Sequence, residues 1–149
     1  MVNLKKSEKI SVLRGGISEE KEISILTADQ VYKTLQTKYD TTLIDVDNDC
    51  NKFVNDLITS KPDKVFNCLH GVIGEDGQIQ SILNYLKIPY THSGVLASSI
   101  AMNKIVSKFF YKSLGVRFPE NFDINSKFKK SSYPLIIKPI CGGSSQNLF

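Results

Sequence analysis

Three short runs rich in branched apolar residues lie at residues 10–13, 42–46 and 65–69, and each is followed by a stretch with helical spacing. This repeated order constrains the fold more than any other feature. Strands that alternate with helices predict an open α/β domain with a parallel sheet and right-handed crossovers. The first run is not cleanly alternating, which predicts a strand covered on both faces. After it, Ile25, Ala28, Tyr32 and Leu35 recur at three- or four-residue steps, as one helix face does. Phe53, Leu57 and Ile58 predict a second helix, ended by Lys61-Pro62. Ile79, Ile82, Leu83 and Leu86 predict a third. Pro89-Tyr90-Thr91 reads as a brief fourth strand, and residues 95–114 as a helix broken near Asn103, with Met102, Phe109 and Phe110 in a core.

The pattern changes after Leu114. A turn-rich basic connection leads to a predicted strand at residues 135–138 and a glycine-rich loop. The expected organisation is one domain over residues 1–114, then a connection and the start of a second domain over residues 115–149. Residues 1–103 carry 11 basic and 13 acidic side chains, and residues 104–149 carry 8 and 2. The basic end suits either a solvated surface or a phosphorylated ligand. Nucleic acid is not expected, because no aromatic-basic or zinc-finger motif accompanies the charge. No apolar run is long enough to predict a membrane span. Cys50, Cys68 and Cys141 lack zinc-like spacing and read as free thiols of a cytoplasmic protein.

Three loops can carry chemistry. Gly15 and Gly16 follow the first strand, where ligands gather in open parallel sheets. Ser18 is placed to cap the following helix, with Glu19 and Glu20 in its first turn. The third strand runs into His70, Gly71, Gly74, Glu75, Asp76 and Gly77. His70 there suits either an ordinary loop or a group that donates to an anion or moves a proton. Gly142 and Gly143 can form a nest for phosphate or a plain tight turn, with Ser144, Ser145 and Lys138 as further donors. Lys104 is equally a solvated charge or a phosphate contact. No dinucleotide fingerprint and no Walker A pattern is present, which argues against common dehydrogenase and phosphotransferase designs. No metal ligands are assigned.

Four separated segments then agree with one family. VLRGGISEEKEISI (12–25), LHGVIGEDG (69–77), PYTHSGVLASSIAMNK (89–104) and PLIIKPICGGSS (134–145) resemble, in order and spacing, the D-alanine–D-alanine ligases, which are ATP-grasp enzymes. The resemblance covers essentially the whole chain and less than half of a usual family member. It implies a Rossmann-like open parallel sheet with flanking helices, followed by the beginning of an ATP-grasp central domain. It implies an enzyme that uses ATP and magnesium to join two D-alanines through an acyl phosphate, for peptidoglycan.

By the same resemblance, Glu20 holds the first D-alanine through its ammonium group, and His70 stabilises charge near the acyl phosphate. Ser144 networks with the glutamate. Gly15, Gly16, Ser18 and Glu75 position the substrate. Lys104, Lys138, Gly142, Gly143 and Ser145 face the nucleotide phosphates. The magnesium carboxylates belong to the family's carboxyl-terminal region. Residues 1–149 alone are therefore expected to lack substantial ligase activity, with a homodimer through the amino-terminal domain and a separate carboxyl-terminal chain as expected partners. The competing expectation is a non-catalytic substrate- or nucleotide-binding module within a complex. Three positions depart from the family pattern: Asn103 where aspartate is common, His92 where a small glycine is usual, and the residues after Ser145.

Overall fold

The computed structural model describes residues 8–122, 125, 133–143 and 149. By its internal contacts the chain divides into two units, Met1–Ser99 and Ile100–Phe149.

In the first unit, β1 (Lys9–Gly15), β2 (Asp40–Val46) and β3 (Lys64–Asn67) form a parallel sheet in the order β2-β1-β3. Val12 pairs with Leu43 on one side and Phe66 on the other. The central strand is almost wholly buried, as its unalternating sequence predicts. Its side chains feed two layers because successive residues point to opposite faces. Leu13 joins Phe53 and Leu57 of α2 (Cys50–Ser60) and Ile79 and Leu83 of α3 (Gln78–Tyr85). Val12 joins Ala28 of α1 (Lys21–Leu35), with Val31 and Leu35 packed alongside. The result is a parallel sheet with helices on both faces, the Rossmann-like arrangement expected.

Helix ends follow local chemistry. Asp49 caps α2, its side chain accepting from Lys52 N–H at 2.9 Å. Lys61 closes the same helix in the left-handed region, with φ 46°, just before Pro62. The break near Asn103 is real: α4 spans Val95–Met102 and α5 spans Lys104–Ser113. Asn103 Oδ1 accepts from Ile105 and Val106 N–H at 3.0 and 3.1 Å, so this departure from aspartate keeps a capping oxygen.

Four expectations need correction. Ser18 is not the cap of α1; Glu20 holds that position and makes no side-chain capping bond. The chain turns once more between Ser18 and the helix, through a Lys21 N–H bond to Ser18 O. The brief fourth strand reduces to one parallel bridge between Val65 and Tyr90. Residues 135–138 form no strand. A strand needs a ladder, and among the described residues this segment makes a reciprocal pair between Ile137 and Phe149, at 2.7 and 2.9 Å. Finally, Phe109 and Phe110 are exposed rather than in a core, since no sheet forms among the described residues of the second unit to cover them.

Candidate functional site

The carboxyl ends of β1 and β3 bring two loops together. Gly15 N–H donates to Ser24 Oγ at 3.0 Å, and Gly16 N–H donates to Val46 O at 2.8 Å. Both glycines therefore spend their donors inside the protein and contribute the shape of the turn. A Cβ on Gly15 would stand 2.9 Å from Val46 O, which only a glycine avoids at φ +91°.

Ser18 joins the two loops. Its hydroxyl donates to His70 O at 2.8 Å and accepts from Glu20 N–H at 3.3 Å. Glu20 is buried. Its Oε2 lies 3.1 Å from where a Cβ on Gly71 would be, with Ser18 Cβ at 3.0 Å. Glu20, Ser18, His70 and Gly71 thus share one corner. His70 Nε2 is buried with no hydrogen-bond partner. Buried ring nitrogens are normally satisfied, so this atom is suited to a polar group brought in by a ligand.

The loop that carries His70 is tied from several sides. Glu75 Oε2 accepts from Gly71 N–H at 2.7 Å. Asp76 accepts from Ile73 N–H at 2.9 Å and from Gln78 N–H at 3.1 Å, the latter at the first turn of α3. Ser99 Oγ donates to Asp76 O at 2.7 Å. Gly74 O accepts from Asn67 Nδ2 at 2.9 Å and Gln80 Nε2 at 2.8 Å. A Cβ at Gly74 would meet Leu69 Cβ at 2.5 Å and the Leu69 carbonyl carbon at 2.8 Å.

The second unit holds a separate group. Lys104 Nζ donates to Gly142 O at 2.7 Å, and Lys104 N–H donates to Ile140 O at 3.0 Å. Gly142 has φ +111°, and space is open beside both Gly142 and Gly143. Lys138 is exposed. A lysine ammonium beside a glycine loop fits an anionic nucleotide phosphate. Ser144 and Ser145 lie outside the described residues. Among the described residues, no group of three or more His, Cys, Asp or Glu side chains could hold a metal ion. No helix among them is long and apolar enough to cross a membrane.

Sequence reasoning missed three structural supports. Asn67 and Gln80 are buried polar residues whose amides converge on Gly74 O; polar residues within a buried strand and helix were their only signal. Arg14 binds Asp45 and Asp29, each at 2.7 Å. The hydrogen bond to Asp45, ahead of the other interactions, pushes its guanidinium above the ordinary arginine range. The cysteines are free, with Cys68 buried and Cys50 and Cys141 exposed.

No protein-family model matches the chain. It is 43% identical over 147 residues to a D-alanine–D-alanine ligase of Methylorubrum populi, covering 95% of this chain and 47% of that protein. A D-alanine–D-alanine ligase of Bacillus anthracis has a similar fold, with a TM-score of 0.76 and 33% identity over 96% of this chain and 49% of that one. The same enzyme in complex with ATP gives a TM-score of 0.74 at 33% identity, over 91% and 48% of the two chains. The chain spans about half the length of the curated relatives it matches. In sequence and in fold, it is homologous to the amino-terminal half of the D-alanine–D-alanine ligases, a family of ATP-grasp enzymes.

Proposed function

We propose that this chain supplies the site for the first D-alanine in a D-alanine–D-alanine ligase. The observation that carries this reading is that Ser18 ties the His70 carbonyl to the corner where Glu20 Oε2 lies against Gly71, with Glu20 buried and His70 Nε2 buried and unpartnered. Glu20 binds the substrate ammonium by a charge-assisted hydrogen bond. His70 stabilises negative charge beside the developing acyl phosphate. Ser18, Gly15, Gly16 and Glu75 hold the two loops in register.

ATP, when bound, supplies the phosphoryl group that activates the first D-alanine. Lys104, Lys138, Gly142, Gly143 and Ser145 are the groups assigned to its phosphates. The Bacillus anthracis relative is in complex with ATP, which supports ATP as the nucleotide of the whole enzyme. The whole reaction joins two D-alanines for peptidoglycan in the cytoplasm, with magnesium held elsewhere, and the enzyme pairs through its amino-terminal domain. Residues 1–149 by themselves do not turn over.

A second reading, a binding module within a complex, has one observation in its favour. In the second unit Phe109, Ile136, Ile137 and Phe149 are all more than half exposed, apolar surface that a partner would cover.

Two measurements on folded residues 1–149 test the proposal. D-alanine binding by isothermal titration is expected, weakened about tenfold or more by Glu20→Ala through loss of a charged hydrogen bond. Equal affinity in the variant overturns the assignment of Glu20. A coupled ADP-release assay with D-alanine, ATP and magnesium is expected to show no D-alanine-dependent turnover. Turnover that disappears in Glu20→Ala overturns the claim of inactivity.

A further inference from the structure

His92 has φ +119°, a conformation that residues with side chains rarely adopt. Although the residue as a whole is exposed, its Nδ1 edge is turned onto buried Asn67, 2.7 Å from the Asn67 amide nitrogen.

The orientation of that amide is determined by its other partners. Asn67 Nδ2 donates to Gly74 O at 2.9 Å, and Asn67 Oδ1 accepts from Leu69 N–H at 3.0 Å. Exchanging the amide oxygen and nitrogen would set oxygen against the Gly74 carbonyl and N–H against the Leu69 N–H. The amide therefore has one orientation, and its second proton points at His92. Only a lone pair on Nδ1 can receive it. His92 is thus a neutral imidazole with its proton on Nε2. Its surroundings agree in direction: burial of the inner edge lowers its proton affinity, His70 lowers it further, and Glu75 opposes them.

Asn67 is more than a partner of His92. Its backbone N–H donates to Thr91 Oγ1 at 3.0 Å, so the residue clamps the 91–92 turn against the end of β3. Through Gly74 O it also grips the loop in which Glu75 accepts from Gly71 N–H.

We propose that His92 is a positioning residue of this site: its neutral ring accepts the Asn67 amide proton and so holds the Gly74 carbonyl and the loop that carries His70 and Glu75, and protonation at Nδ1 releases that hold. The proposal rests on reading His70 and Glu75 as site residues, but its test needs neither D-alanine nor turnover.

The chain has two histidines, so side-chain nitrogen NMR resolves both. The expected result for unsubstituted residues 1–149 is an Nε2-protonated His92 that takes up its second proton below the ordinary histidine value of about 6.5. The Gly74 and Glu75 backbone amide signals are expected to shift with the same midpoint. His92→Gly suits the backbone at φ +119° and removes the acceptor. In this variant that component of the shifts is expected to vanish. An Nδ1-protonated tautomer, a His92 midpoint at the ordinary value, or amide shifts that persist in His92→Gly would each overturn the proposal. If the variant does not fold, the tautomer and midpoints in the unsubstituted chain decide. Failure of D-alanine to bind leaves this lock standing, and failure of the lock leaves the binding test of Glu20 intact.

Discussion

The Ser18 hydroxyl donates to the backbone carbonyl of His70 at 2.8 Å, across a sequence separation of 52 residues. This bond joins the loop after β1 to the loop after β3. The same oxygen receives Glu20 N–H, so one small side chain sets the spacing between the two residues assigned to the substrate.

Ser18→Ala removes the bond and leaves a partly buried carbonyl with one partner fewer. The expected loss is about 1 kcal/mol, read as a fall in Tm of about 3 °C. The sharper readout is local. Amide exchange at residues 70–72 is expected to accelerate more than exchange in β1. Uniform acceleration, or none, contradicts a specific tie between the loops.

Gly74 and Gly94 make a matched pair of substitutions. A Cβ at Gly74 would press on Leu69 side-chain and backbone atoms at 2.5 and 2.8 Å, whereas one at Gly94 meets nothing within 4 Å. Backbone cannot move aside as a flexible side chain does. Gly74→Ala is expected to destabilise by about 3 kcal/mol, and Gly94→Ala by no more than about 0.5 kcal/mol. Urea unfolding of the two variants tests this directly. Similar midpoints for both would mean that the loop around Gly74 yields without cost.

Burial pushes the Cys68 thiol up from 9.0 to about 11. A group whose folded value lies above its unfolded value favours the folded state while it stays protonated. The contribution of Cys68 is therefore complete below pH 9.0 and is lost as pH rises toward about 11. Cys68→Ala is expected to flatten that part of the stability profile. In labelling with a thiol reagent near neutral pH, exposed Cys50 and Cys141 react first. Cys68 reacts only as the protein opens, because the thiolate is the nucleophile. Labelling of Cys68 at the rate of Cys50 under native conditions would contradict its burial.

Much of the first unit was legible in the chain. Three strands, their order along the sequence and their helices followed from periodicity, because Val12, Ala28, Leu57 and Leu83 each report the face on which their own element is buried. The break at Asn103 was also legible, since its side chain caps a helix from two residues away. The second unit was less so. Residues 135–138 have the composition of a strand, but composition cannot supply the neighbouring strand that a ladder requires. Phe109 and Phe110 are apolar, but burial depends on what lies opposite them.

By itself the sequence determined the parallel α/β layering and the glycine-bearing strand ends where His70 and Glu20 lie. These depend on interactions within a few residues and on the two-residue and 3.6-residue periods of strand and helix. Tertiary structure alone decided that Ser18 reaches the His70 carbonyl, that Arg14 spans Asp29 and Asp45, and that Asn67 holds both Gly74 and His92. Directional bonds between distant residues form only after packing has brought donor and acceptor within about 3 Å, and no local pattern records which distant groups will meet.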